Sequence, residues 1–149
     1  MATVYFNKGG PSGGSDDGYD TFNILNVSNW YSNSACTTPL GHLPGATDYC
    51  YLHGGLSGRN CYIDDWGSYG ATAFTCGTLD LNGVAHLWII AGKNGQFQLT
   101  CNIVCGGTQT TGGVHVSSLN VNPVDCKIIG NVSAMWMLID DDGSGEVVY

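Results

Sequence analysis

A chain of 149 residues is about one domain, enough for a modest core and too short for a large multi-domain enzyme. Charged residues are only 11% of it, against a usual ~25%, and glycines number 23, so the polar residues that favour helices are scarce and a helical protein is excluded. The formal net charge of −8, with Lys8, Arg59, Lys93 and Lys127 far apart, excludes a nucleic-acid surface and attraction to anionic lipid.

The abundant Gly, Ser, Thr and Asn suit short strands joined by tight turns, which predicts an all-β fold. No apolar run approaches the ~20 residues that a membrane-crossing helix needs. The first ten residues lack a cationic start followed by an apolar stretch, so no secretory signal is expected there. Seven cysteines is an odd number, and at least one cannot sit in an intramolecular disulfide. The plainer expectation is several small, buried thiols in a protein made in a reducing cytosol, the rival being two or three disulfides formed after release.

In chain order, residues 2–6 alternate as a strand and lead into a Gly/Ser/Asp-rich stretch, so 1–20 is read as an N-terminal strand with a flexible arm and 21–149 as a single β domain. Val4, Tyr5 and Phe6 of that strand are candidates for an assembly arm that adds to a neighbouring subunit's sheet edge, the alternative being packing on their own domain. Asn29-Trp30-Tyr31 and then Leu43-Pro44-Gly45, Asp48 and the apolar start at Tyr49 follow. Trp30 has the bulk to plug the open end of a stack, Pro44-Gly45 turns the chain, and residues 49–52 start a buried strand.

Within the same stretch, His42, Cys50, His53 and Cys61 include one ligand-like spacing, Cys50-x-x-His53, without the paired C-x-x-C of a zinc knuckle. A buried cysteine beside surface histidines is the expected account, with no metal and no cofactor. Tyr62, Trp66 and Tyr69 cluster around Asp64 and Asp65, which gives either a glycan platform or interface, or a cover for one end of the core.

From Cys50 the cysteines carry a period, with Cys76, Cys101 and Cys126 spaced by 25 residues. Aligned on them, Leu79, Val104 and Ile129 coincide, and second apolar blocks follow at 86–90, 114–116 and 136–139. Two strands per unit of ~25 residues predicts a short β-solenoid, and a β-sandwich or jelly roll is the alternative. Cys101 and Cys105 would share a strand face and either pair or merely pack. Residues 136–140 and 146–149 flank a Gly-containing loop and predict a C-terminal hairpin. Asp140, Asp142 and Glu146 there offer a weak calcium site, although the plain turn is preferred because the closing bidentate glutamate and the flanking helices are missing.

Nothing marks a catalytic centre. The carboxylates Asp48, Asp64, Asp65, Asp80 and Asp125 are not paired by any spacing, no G-x-S-x-G elbow is present, and no cysteine stands out as a nucleophile for His86 or His115. Asn26 and Asn131 match glycosylation acceptors, which matter only in a eukaryotic secretory setting.

The opening over positions 29–52, Asn29-Trp30 followed by Leu43-Pro44 and Asp48, resembles the start of β-solenoid segments in bacterial surface proteins and tailed-phage structural proteins. Such segments usually continue for many coils, whereas here the pattern stops after about three, which favours a compact module over an extended shaft. The composition is similar in style to phage decoration, or cement, proteins and short tail components. That resemblance implies a non-enzymatic virion protein, expected to decorate a capsid as a homotrimer and to contact the major capsid protein or other virion proteins. The alternative is a carbohydrate-binding or adhesin module of a phage tail or cell surface, extracellular and bound to host surface glycans.

Overall fold

The computed structural model describes residues 1–6, 23–52, 60–64, 73–81, 86–90, 96–104, 113–118, 125–133 and 136–141. Among these residues the chain is all-β, with no α-helix and a single 3-10 turn at Val27–Asn29. The strands are β1 (Thr3–Phe6), β2 (Trp30–Tyr31), β3 (Tyr49–Tyr51), β4 (Asn60–Asp64), β5 (Ala73–Asp80), β6 (His86–Ile90), β7 (Gln96–Val104), β8 (Gly113–Ser118), β9 (Asp125–Ile129), β10 (Val132–Ser133) and β11 (Trp136–Asp141).

They form two sheets. One runs β10-β7-β5-β3-β1-β2 with β9 also on β7, and the other runs β11-β8-β6-β4. From β3 to β9 successive strands alternate between the sheets, β10 joins β9 in the larger sheet, β11 returns to the smaller one, and every one of these pairings is parallel to a strand of an earlier or later pass. Among the described strands β1 with β2 is the one antiparallel pair, and a single antiparallel bridge joins Tyr31 to Pro39.

Alternation along each strand sorts the side chains. Val4, Cys50, Leu79 and Ile103 face one another in register across β1, β3, β5 and β7, and all four are buried. Phe74 and Leu99 form a second inner pair, joined by the partly buried Ile128. In the other sheet the row Cys61, Leu87, Val114, Met137 contributes Val114, which is fully buried.

The cysteine period holds for one step and then slips. Thr75 faces Thr100, which places Cys76 and Cys101 on neighbouring strands, but Cys50 faces Leu79 and Cys126 faces Phe97. Leu79 likewise faces Ile103 rather than Val104, because the register shifts between Thr75 and Thr78. Ile129 falls on the outer row of Thr75 and Thr100 and is exposed. A bulge at Gly77 produces this one-residue shift between β5 and β7: the Gly77 and Thr78 amides both donate to the Asp48 carbonyl, and a Cβ on Gly77 would lie 2.9 Å from the Thr47 backbone. The second apolar blocks, by contrast, fall on β6, β8 and β11, all in the same sheet.

Residues 136–141 form the first strand expected of the C-terminal hairpin, paired in parallel with β8, while its second strand lies outside the described residues. The N-terminal strand is β1, and the arm that follows it also lies outside them.

One edge of the larger sheet is closed by β1 and β2. Trp30 is fully buried there, its ring 5.2 Å from Phe6 edge to face and 6.1 Å from Phe74 in a stack, and its Nε1 donates to the Ile24 carbonyl at 2.8 Å. Trp30 is thus a core residue at this edge of the sheet with its polar atom satisfied. Trp30→Ala removes the ring and leaves a cavity, so a urea titration should show a loss of about 3–5 kcal/mol. Gly130 has φ +143, and a Cβ there would come within 1.9 Å of the Cys101 carbonyl oxygen. Gly130→Ala should therefore lower the urea midpoint clearly although the position is solvent-exposed, and an unchanged midpoint would contradict this packing.

Candidate functional site

The described polar groups converge around the N-terminal edge of the larger sheet, and Asp48 is their node. Its Oδ2 accepts the Gly45 amide at 2.8 Å while the Asp48 amide donates to the Gly45 carbonyl at 2.9 Å, closing the turn that Pro44-Gly45 begins. Its Oδ1 accepts the Ala2 amide at 3.2 Å, and the Tyr49 amide donates to the Ala2 carbonyl. One carboxylate therefore joins the start of the chain to β3. The Gly45 amide holds its carboxyl below the ordinary value, partial burial opposing and the Ala2 amide, the chain's amino terminus and His42 assisting.

Above this turn Tyr49 donates its hydroxyl to Asp80 Oδ2 at 2.5 Å. Asp80 is buried on β5, and the bond to its carboxylate, with burial and the charge of Asp80, pushes the Tyr49 phenol up to about 12. Of the candidate acids, Asp48 and Asp80 are thus engaged in backbone and phenol hydrogen bonds. Asp64 lies on β4 and Asp125 on β9, at opposite ends of the two sheets, and Asp65 falls outside the described residues.

Tyr5, Tyr31 and Tyr51 stand beside Asp80. Tyr5 faces Tyr31 across β1 and β2 and faces Tyr51 across β1 and β3, and Tyr51 faces Asp80. Sequence reasoning singled out only Tyr5 of this row, and for another role. The usable signal was local: Val4-Tyr5-Phe6, Trp30-Tyr31 and Tyr49-Cys50-Tyr51 each set a tyrosine next to a residue that belongs inside.

The cysteines form a column within the core. Cys50, Cys76 and Cys101 are buried free thiols on β3, β5 and β7, and Cys76 hydrogen-bonds to both of the others. At Cys76 the bond with Cys101 lowers the thiol, but the bond with Cys50 and burial outweigh it, and at Cys101 the bond with Cys76 and burial both raise it. Protonated, enclosed thiols are poor nucleophiles. Cys36, partly buried in a left-handed conformation with φ 54, sets its Sγ 3.6 Å from the Phe6 carbonyl.

The other predicted site residues separate as follows. Val4 and Phe6 are core residues of β1 and Tyr5 is half-buried on its outer face, and β1 pairs within its own chain to β2 and β3. His42 is exposed with Nδ1 2.7 Å from the Leu43 carbonyl, whereas Cys50 is wholly buried, so the two do not meet. Among the described residues no three His, Cys, Asp or Glu side chains converge to hold a metal ion. Tyr62 lies on β4 and Asp140 on β11, while Trp66, Tyr69, Asp142, Glu146, His53 and Cys105 fall outside the described residues. Comparison with known proteins finds no matching family model, no matching characterised sequence and no matching solved structure.

Two outcomes check this geometry. Because the Tyr49 phenol is raised above its free value of 10.0, the contribution of its bond is complete below that pH and is lost as pH climbs towards about 12. Phenolate absorbance should show one tyrosine titrating near the upper value, and Tyr49→Phe should remove that step. The native protein should also shield Cys50, Cys76 and Cys101 from a thiol reagent and release them on unfolding, as mapped by mass spectrometry of labelled peptides.

Proposed function

We propose that this chain is a short parallel β-solenoid whose role is structural assembly: a non-enzymatic virion component, acting as a capsid decoration protein built as a homotrimer. Each coil in this reading contributes to both sheets, so β3 with β4, β5 with β6, β7 with β8, and the pair β9 and β10 with β11 stack as successive coils.

The supporting observation is an asymmetry between the two ends. At one, Trp30, β1 and β2 cover the inner rows. At the other, Val132 faces the buried Ile103 and Met137 faces the buried Val114, yet Val132 is 38% and Met137 47% exposed. Apolar side chains left at the end of a stack, beside strand edges that are unpaired among the described residues, provide the surface that subunit association uses. A decoration protein works by matching surfaces, and this assignment asks no chemistry of the buried thiols or the hydrogen-bonded aspartates.

Native mass spectrometry of the purified protein tests the reading. A closed trimer that dissociates when Met137→Asp and Val132→Asp are introduced together, and that binds empty capsids, supports it. A monomer at micromolar concentration, or a trimer indifferent to both substitutions, contradicts it.

A further inference from the structure

The outer face of β2, β1, β3 and β5 carries an ordered row of chemistry that assembly does not require. Tyr31, Tyr5, Tyr51 and Asp80 stand opposite one another on four adjacent strands. With strands spaced about 4.8 Å apart, the rings cover roughly 10 Å from Tyr31 to Tyr51. Tyr5 and Tyr51 meet edge to face, centroids 6.0 Å apart and planes at 64°, and so form a corner and not a flat stack. All three phenols are half-buried, leaving part of each ring open to solvent.

A second row runs alongside through Thr3, Tyr49, Thr78 and Asn102. It presents hydroxyls and an amide, with the Tyr49 hydroxyl already oriented by Asp80. The remaining outer positions of these four strands are Ala73 and Thr75, both exposed, and every larger aliphatic side chain of the four strands points inward. Lys127 is the one lysine or arginine among the described residues, and it lies on β9, outside both rows.

We propose that this face binds a neutral polysaccharide chain, with sugar rings seated on Tyr31, Tyr5 and Tyr51 and sugar hydroxyls bonded by Thr3, Tyr49 and Thr78, the buried Asp80 orienting the Tyr49 hydroxyl from beneath. Phenol rings offer apolar faces to the C–H side of a pyranose, and a sugar's hydroxyls need the mixed donors and acceptors of the flanking row. The net charge of −8, a carboxylate in the row and the lack of a described cation within it disfavour anionic glycans. Tyrosines also anchor protein partners, but here they stand beside a row of hydroxyls while Val4 and Leu79 of the same strands point inward, a mixture that suits a sugar's alternating C–H faces and hydroxyls. Strand backbone holds the three rings, with β1 and β3 paired on both sides and β2 paired to β1, so little conformational entropy is lost on binding. The site is independent of the assembly reading, since its residues lie at the capped end and not at Val132 and Met137.

Calorimetric titration of the full chain with cellohexaose and mannohexaose, with heparin as the acidic comparator, tests the assignment. A neutral hexasaccharide should bind, Tyr51→Ser should weaken it about tenfold or more with an unchanged circular dichroism spectrum, and Tyr51→Phe should retain it. If Tyr51→Ser disturbs the fold, Tyr31→Ser on the outermost strand carries the same expectation. No binding of either neutral sugar, stronger binding of heparin, affinity unchanged by these substitutions, or a loss of self-association in place of sugar binding would each overturn it. Trimer formation is read separately, so failure of one assignment does not decide the other.

Discussion

Parallel pairing leaves the outermost strand of a sheet with backbone donors and acceptors on one side unmatched, and it leaves the inner rows of side chains open where the strands stop. At the N-terminal edge β1 is laid beside β3 and β2 beside β1, so the exposed edge is reduced to a two-residue strand. Trp30 on that strand then fills the end of the inner rows against Phe6 and Phe74. The closure depends on Asp48, whose carboxylate ties Ala2 to the turn before β3 while its carbonyl receives the amides of the Gly77 bulge. Three segments distant in sequence are fixed by one residue.

That closure sorts the surface into two unlike regions. Covering the inner rows frees the outer face of the same strands to carry tyrosines and hydroxyls at defined spacing, with Asp80 buried beneath the Tyr49 hydroxyl. The far end has no counterpart to Trp30 among the described residues, and Val132 and Met137 remain open. A polar-aromatic face at one end and an apolar end at the other are different kinds of surface, which is why assembly and sugar binding are assigned to separate residues.

Much of this was legible in the sequence where local chemistry decides it. Scarce charge and abundant Gly, Thr and Asn gave the all-β class, and Trp30, Pro44-Gly45 and the start of a buried strand at Tyr49 fell where their bulk and turn propensity suggested. The blocks at 86–90, 114–116 and 136–139 occupy the second sheet. Register was less legible. A cysteine period counts residues, whereas pairing register is set by bulges such as that at Gly77 and by the length of chain between strands, and Cys126 faces Phe97. The tyrosine row was hidden because its members come from β2, β1 and β3, and only the pairing of those strands brings them together.

Parallel pairing between strands of successive passes brings Tyr5, Tyr51 and Asp80 into one row and leaves Val132 and Met137 at the far end. Cross-strand nuclear Overhauser contacts in isotope-labelled protein read that pairing directly. Amide and α-proton contacts should link Phe74 with Leu99 and Leu99 with Ile128, in the staggered pattern of parallel strands. Antiparallel contacts between β5 and β6, the strands next to each other in sequence, would contradict the account and with it both surfaces.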